Sequence, residues 1–272
     1  ATNHVAVGTD RNLSFAVVAS SVATDQIGVW WSSDGVSFTQ RTPLTIPDAA
    51  TYAIEDVSVW RVDQARLVVS WRQTDGNNQR IYYAESTNSG TSFRTPVLLR
   101  SGSAASYAIG TGSITRGAGN GAYSWLGYVS QANTTPPRSA NLYLLGTGIE
   151  HPATATNFTP ILLDQDPVLQ DGFDVMSTPE GHVVTYHAYN LVGFINEASL
   201  KMAVCTIDCH VASNWYRRTL ATWPVSFPSS PKLSPFVIQS TVSNSDAPRW
   251  YVFIRQDNQL KVLAGGLVRR VR

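Results

Sequence analysis

The chain has 272 residues, of which 43% are hydrophobic and only 14% charged. That balance supports a sizeable core and excludes intrinsic disorder. A formal net charge of +1 gives no electrostatic basis for binding nucleic acid or an anionic membrane, and no apolar run reaches the roughly 18 residues of a membrane span.

Read in order, the chain is a succession of short strands in units of about 40–55 residues, the signature of a propeller. The first unit has strands at residues 3–8, 13–20, 26–32 and 38–46. LSFAVVAS, residues 13–20, is a continuous apolar run that suits a strand buried on both faces. The second unit repeats this order at residues 56–62, 66–72, 80–85 and 93–99. The Thr-Asp-Gly-Asn-Asn loop at 74–78 joins its middle strands, with Gly and Asn supplying positive φ.

A second internal repeat announces the third unit: AATYAI at 49–54 returns as AASYAI at 104–109. Strands are predicted there at 111–115, 122–130 and 140–146. The fourth unit has strands at 173–177, 182–189, 199–205 and 215–222. The fifth has strands at 232–241, 249–255 and 259–264 and a last piece at 267–272. No long amphipathic helix is predicted, because Gly, Pro, Asn and Ser interrupt every 3.6-residue pattern.

The expected fold is therefore all-β: a β-propeller of five blades, each a four-stranded antiparallel sheet, with six blades as the alternative. One domain spans residues 1–272, with approximate blades at 1–47, 48–102, 103–166, 167–226 and 227–272.

Two segments carry the repeat most clearly. GVWWSSDGVSFTQRTP at 28–43 recurs as IYYAESTNSGTSFRTP at 81–96. Each is an aromatic strand, a polar turn, a closing aromatic and a second strand opening on Arg-Thr-Pro. The turns run through Ser32, Asp34, Gly35 and Phe38 in the first copy and Ser86, Asn88, Gly90 and Phe93 in the second. An Asp or Asn there accepts hydrogen bonds from backbone N–H groups a few residues on, and the Gly takes positive φ. These turns resemble the Asp-box, the Ser-x-Asp-x-Gly-x-x-Trp/Phe hairpin of the sialidase-like (BNR-repeat) β-propeller superfamily. The second copy fits the spacing with Asn for Asp; the first is one residue short. The resemblance implies that the boxes are structural, that the aromatic caps the blade core, and that ligands bind on the opposite face.

That orientation selects candidate site residues. Around the starts of inner strands fall His4, Asp48, Tyr52, Glu55, Asp56, Tyr107, Asp164, Asp166, Asp171 and Asp174; at the ends of second strands fall Arg72, Tyr128, His187, Tyr189 and Arg255. Glu55, Asp56, Asp171 and Asp174 are the candidate catalytic carboxylates, since glycoside hydrolysis needs two carboxyl groups flanking one bond. The plainer reading is that they satisfy turn N–H groups or pair with Arg72 and Arg255. The two arginines sit in echoed segments, Trp71-Arg72-Gln73 and Ile254-Arg255-Gln256. They are expected to hold an anionic sugar, or else reflect repeat ancestry and an ion pair. Tyr52, Tyr107, His187, Tyr189 and Trp223 complete the ligand-binding candidates. Trp223 is read as a loop aromatic able to stack on a sugar, and His187 as a general base or a hydrogen-bonded wall residue.

Cys205 and Cys209 fall where the fourth unit's box turn belongs, and a disulfide replacing the box hydrogen bonds is the favoured reading. A zinc site with His210, or free thiols, are the alternatives. No metal site or cofactor is expected.

Low lysine content, many Ser, Thr and Asn residues, and Ala1-Thr2-Asn3 as a mature N-terminus after signal cleavage point to a secreted, extracellular protein. The function expected is a lectin-like propeller binding a glycan or polysaccharide on the face opposite the boxes. The alternative is a glycoside hydrolase, sialidase-like or similar to five-bladed glycosidases, working through the channel-facing carboxylates. A protein-interaction scaffold is a third class that fold alone does not separate.

Overall fold

The computed structural model describes residues 5–9, 15–23, 25–61, 65–103, 114–116, 124–133, 139–149, 151–166, 169–178, 181–190, 197–224, 236–240, 249–256 and 259–266. Their secondary structure is twenty β-strands and two single-turn 3-10 helices. Among the described residues no helix is long and apolar enough to cross a membrane.

The strands form five antiparallel sheets, each from consecutive chain segments. Sheet 1 contains β1 (Val5–Thr9), β2 (Phe15–Ala23), β3 (Gln26–Ser32), β4 (Thr39–Gln40) and β5 (Leu44–Thr45), the last two both pairing with β3. Sheet 2 contains β6 (Ala53–Arg61), β7 (Leu67–Thr74), β8 (Asn78–Ser86) and β9 (Val97–Ser103). Sheet 3 contains β10 (Ile114–Arg116), β11 (Ser124–Asn133), β12 (Ser139–Thr147) and β13 (Thr159–Asp166). Sheet 4 contains β14 (Leu169–Thr178), β15 (Gly181–Asn190), β16 (Glu197–Cys205) and β17 (Tyr216–Pro224). Sheet 5 contains β18 (Phe236–Ser240), β19 (Arg249–Gln256) and β20 (Gln259–Gly266).

Contacts between sheets run through first strands: β1 packs on β6, β6 on β10, β10 on β14, and β14 on β18. Between the sheets lie dry apolar layers, and strand alternation decides which layer each residue enters. On β7, Leu67, Val69 and Trp71 face sheet 1, where they meet Ile27, Val29 and Leu44. Val68 of the same strand joins Ile81, Tyr83, Leu145 and Phe158 between sheets 2 and 3. Between sheets 3 and 4, Leu142, Leu144, Ile161 and Leu163 meet Val184, Tyr186, Ala203 and Trp215. This double-sided burial explains why strands such as LVVSW read as continuous apolar runs.

The predicted strand at 38–46 is two short pieces, and the one at 93–99 begins only at Val97. Both interruptions fall on the Arg-Thr-Pro segments, where Pro43 and Pro96 supply no N–H for a ladder. β13 lies beyond the irregular segment 148–158, where the sequence pattern announced no strand.

The box turns have the expected hydrogen bonds. Asp34 Oδ1 accepts from the N–H groups of Val36 (2.8 Å) and Ser37 (2.7 Å) and from the Ser32 hydroxyl (2.9 Å). These bonds, that from the Ser37 N–H foremost, hold its carboxyl down to about 2. Asn88 Oδ1 accepts from the Ser92 N–H at 2.9 Å, and Ser86 Oγ accepts from the Gly90 N–H at 2.9 Å. The extra residue of the second copy is absorbed by Ser89 and Gly90, both at positive φ (59° and 81°). Phe93 packs on the core between sheets 1 and 2. Phe38 departs from expectation and is 43% exposed.

In sheet 3 the Thr147 hydroxyl accepts from the Ile149 N–H at 3.1 Å, and Phe158 closes the core. In sheet 4 Cys205 and Cys209 form a disulfide, so the zinc and free-thiol alternatives are set aside. Trp215 closes that hairpin, donating from Nε1 to the Cys209 carbonyl at 2.9 Å.

Candidate functional site

Backbone register supplies the site's main feature. In sheet 2, Ile54 pairs with Gln73 and Asp56 with Arg72, leaving Glu55 as the extra residue of a β-bulge in the first strand. In sheet 4, Gln170 pairs with Ala188 and Phe173 with Tyr186, so Asp171 and Gly172 form a bulge opposite His187. The next pairs, Val57 with Trp71 and Phe173 with Tyr186, bring the two sheets back into the same frame. Glu55-Asp56 and Asp171-Gly172 therefore occupy equivalent positions, each opposite a basic residue of the second strand. Bulges re-aim side chains and are over-represented beside active sites. Both lie near the start of the first strand of their sheet.

The Glu55 carboxylate meets Arg72, with Oε2 3.2 Å from Nη2, and its side chain remains 40% exposed. This is the ion pair of the plainer reading. Yet Arg72 Nε is buried and makes no hydrogen bond among the described residues, so the guanidinium is only partly satisfied by Glu55. Gln73, fully buried beside it, accepts from Trp71 Nε1 (3.2 Å) and donates to the Pro47 carbonyl (2.9 Å). That amide ties the end of β7 to the connection from sheet 1.

The same connection is fixed by Asp48, held at a φ of 55°. Its carboxylate pairs with Arg80 and accepts from the Tyr82 hydroxyl at 3.1 Å. Burial and then this hydrogen bond push the Tyr82 phenol up, keeping it a donor. Tyr82 also stacks on Trp71, 5.4 Å between ring centroids. Sheet 4 has a counterpart: Asp164 of β13 accepts from the Tyr186 hydroxyl (2.8 Å) and Lys201 Nζ (3.2 Å). Tyr186 and Lys201 are cross-strand partners, as are Trp71 and Tyr82. Asp48 thus ties the connection from sheet 1 onto sheet 2, and Asp164 ties sheet 3 onto sheet 4.

The remaining candidates take other places in their sheets. Asp174 pairs with Thr185, three residues past Asp171 in regular strand, at the place held by Ser58 in sheet 2. Tyr52 is buried, and its ring lies under the Arg80 guanidinium at 4.0 Å. Arg255 is near the end of β19, opposite Leu260. Tyr189 pairs with Leu169 at the start of β14. Trp223 is in β17, paired with Ala198, and not in a loop. Tyr107 lies outside the described residues. Gln73, next along the strand from Arg72, was marked in the sequence by the echoed Trp-Arg-Gln segment; Arg80, which pairs with Asp48, had no sequence signal beyond ordinary strand polarity. A separate groove of about 490 Å³ between Thr42–Pro47 and Ser92–Pro96 is made by the outer edges of sheets 1 and 2. Among the described residues no cluster of His, Cys, Asp and Glu has metal-site geometry.

No family model matches the sequence, and no curated protein matches it. Solved structures do match over nearly the whole chain. An α-L-arabinanase of Penicillium chrysogenum in complex with arabinobiose aligns at a TM-score of 0.66 and 12% identity, covering 96% of this chain and 80% of that one. An α-L-arabinofuranosidase of Fusarium graminearum in complex with an iminosugar inhibitor aligns at 0.63 and 9% identity, with the same coverage. A family 32 β-fructofuranosidase of Bombyx mori aligns at 0.52 and 13% identity, covering 94% of this chain and 58% of that one. These neighbours are β-propeller glycoside hydrolases, and the chain shares their fold.

Proposed function

We propose that the protein is a secreted glycoside hydrolase acting on a furanose-containing glycan. Its reacting bond is held at one end of a central channel by Glu55 or Asp56 from sheet 2 and Asp171 from sheet 4. The observation that carries this reading is the matched pair of bulges, which presents carboxyl residues at equivalent places on two first strands. A propeller arranges its sheets around a central channel, and the first-strand contacts seen here suit that arrangement. In it, both bulges open toward the same channel mouth. Two carboxyl groups across a glycosidic bond are what its hydrolysis requires.

The furanose reading draws on the neighbours, whose names give arabinan, arabinofuranoside and fructofuranoside as their substrates. The same proposal includes a single domain of five four-stranded blades; the last piece expected at 267–272 lies outside the described residues. It also includes kinship with the Asp-box propellers, supported by the hydrogen bonding of the two box hairpins. The disulfide suits an oxidising, extracellular compartment.

The test is release of reducing sugar or chromophore from arabinan, fructan, aryl furanosides and an aryl sialoside by the folded protein and by Glu55→Gln and Asp171→Asn. Cleavage of a furanoside, lost in both variants, is expected. Glycan binding without turnover by the wild type would return the protein to the lectin class; cleavage unaffected by either substitution would move the site elsewhere.

A further inference from the structure

The groove at the outer edges of sheets 1 and 2 has two walls of similar chemistry. One is Thr42–Pro47 and the other Ser92–Pro96. Each contributes a Thr-Pro pair from the recurring Arg-Thr-Pro segment, Thr42-Pro43 and Thr95-Pro96. Strand alternation sorts the first wall: Leu44 and Ile46 are buried and give the groove an apolar floor, while Thr45 between them is exposed. Thr42, Arg94 and Thr95 are exposed as well, and Pro43, Phe93 and Pro96 are half-buried. Hydroxyl and guanidinium groups thus stand beside flat apolar rings, with no carboxylate among the described residues that line the groove. The walls are set before any ligand arrives. The Arg41 N–H donates to the Val29 carbonyl and the Arg94 N–H to the Glu85 carbonyl, both at 2.8 Å, and the Ile46 N–H donates to the Asp25 carbonyl at 3.0 Å. The two sheets meet beside the groove where Arg41 crosses Gly90, at which a Cβ would come within 3.3 Å of Arg41 Cγ. At about 490 Å³ the groove has the size of a ligand site, roughly 300–1,000 Å³.

This chemistry selects the occupant. Pro43, Pro47 and Pro96 have no N–H, so the walls offer a peptide strand few of the main-chain donors that strand addition needs. The exposed threonines and Arg94 do not suit an acyl chain. A sugar presents C–H faces to flat rings and hydroxyls to hydroxyl and guanidinium groups, and a polymer of sugars repeats that pattern as the two Thr-Pro pairs do. We propose that the groove is an accessory binding site for a polysaccharide chain. It lies at the opposite end of the strand order from the bulged first strand of sheet 2, and it retains the polymer on the protein. The choice of a furanose polymer rests on the hydrolase reading; the assignment of a glycan to the groove does not.

The experiment is affinity electrophoresis through gels containing arabinan or fructan, run beside kinetics on the same polymer and on an aryl furanoside. The proteins are the wild type, Arg94→Ala, Thr42→Val/Thr95→Val and Glu55→Gln, each checked for native circular dichroism. The wild type should be retarded by one of the two polymers. Arg94→Ala should weaken that binding about tenfold, the worth of one hydrogen bond from a charged donor. The double valine variant, which keeps the shape and loses both hydroxyls, should weaken it by a similar factor. In both, the ratio of kcat/KM on the polymer to that on the aryl furanoside should fall, through the KM of the polymer. Glu55→Gln should lose cleavage and remain retarded. Retardation unchanged in both groove variants, or absent from a wild type that cleaves, overturns the groove site and leaves the hydrolase intact. Retardation that depends on the groove residues in a protein that cleaves nothing sinks the hydrolase reading and leaves the site standing. A proline-rich peptide that binds, by fluorescence anisotropy, where both polymers fail overturns the glycan assignment.

Discussion

Reducing the Cys205–Cys209 bond should weaken the fold by an amount that the loop length sets. The two cysteines are four residues apart, so the bond closes a short loop in the unfolded chain. Chain-entropy arithmetic for a loop of that size gives about 2 kcal/mol at 25 °C, against roughly 3 kcal/mol for a fifteen-residue loop. Both side chains are also buried in the layer between sheets 3 and 4, at 1% and 9% exposure. Replacing both by alanine therefore removes packing too, a further loss of about 1–2 kcal/mol.

Urea denaturation of three samples separates these terms: oxidised wild type, wild type in reductant, and Cys205→Ala/Cys209→Ala. Reduction should cost about 2 kcal/mol, and the double variant should fall below the reduced protein by the packing loss. If the hairpin instead frays locally in the native state, reduction leaves the global transition unchanged. The claim that the bond replaces box hydrogen bonds as a staple of sheet 4 then fails.

Acid should weaken the protein through His182. Burial, and then the nearby His210, lower its imidazole to about 4, below the ordinary value of about 6.5. The unfolded chain then takes up a proton before the folded one does. This contribution is complete above about pH 6.5 and is lost as pH falls toward 4, by up to ~3 kcal/mol. His182→Gln should flatten that slope in urea melts at pH 4.5 and 7; an unchanged slope would assign it to other groups. Gly76→Ala and Gly90→Ala separate strain from crowding. Both glycines have positive φ (89° and 81°), but a Cβ at Gly76 meets nothing within 4 Å whereas one at Gly90 comes within 3.3 Å of Arg41 Cγ. Each should lose about 1–2 kcal/mol from the backbone, with an extra loss at Gly90 alone; equal thermal shifts would refute the crowding. Glu85, almost fully buried between Arg66 (3.4 Å) and His151 (2.9 Å), should cost about 3–5 kcal/mol when truncated to Ala, whereas a loss under 1 kcal/mol would show the charge to be solvated.

Much of the fold was legible because propeller strands announce themselves by composition. Gln26–Ser32 and Arg249–Gln256 have aromatic and β-branched runs bounded by turn residues, and the predicted bounds fall on them or within one residue. What escaped was set by geometry that leaves no periodic trace. Pro43 and Pro96 delay the outer strands because a missing N–H counts only where the pairing register would have used it, and a single strand's sequence does not give that register. The site was half legible. Carboxyl residues near first-strand starts were recognised as a class, but Glu55 and Asp171 could not be told from Asp174. A bulge is a property of two strands in register, and a single strand's sequence does not show it. Asp48 and Asp164 illustrate the converse. They have the same residue type and a similar place in the pattern, and the structure uses them to bind neighbouring sheets.

The staples and the bulges fall on the same two sheets. Asp48 reaches from the connection between sheets 1 and 2 onto Tyr82 of sheet 2, and Asp164 reaches from sheet 3 onto Tyr186 and Lys201 of sheet 4. The anchored residues are Tyr82, cross-strand from Trp71, and Tyr186 itself. Trp71 and Tyr186 are the second-strand residues immediately before Arg72 and His187, so each anchor lies one residue from the partner of a bulge. A reacting constellation must be held within about 0.5 Å by supporting residues whose own positions are locked. The partly exposed Asp48–Arg80 pair would stabilise the fold little wherever it was placed. Set one residue behind each candidate carboxylate's partner, the same contacts fix the second strand against which the bulge is measured. Asp48→Asn should therefore lower turnover by a larger factor than its modest effect on stability, read from urea melts beside the kinetic assay, implies.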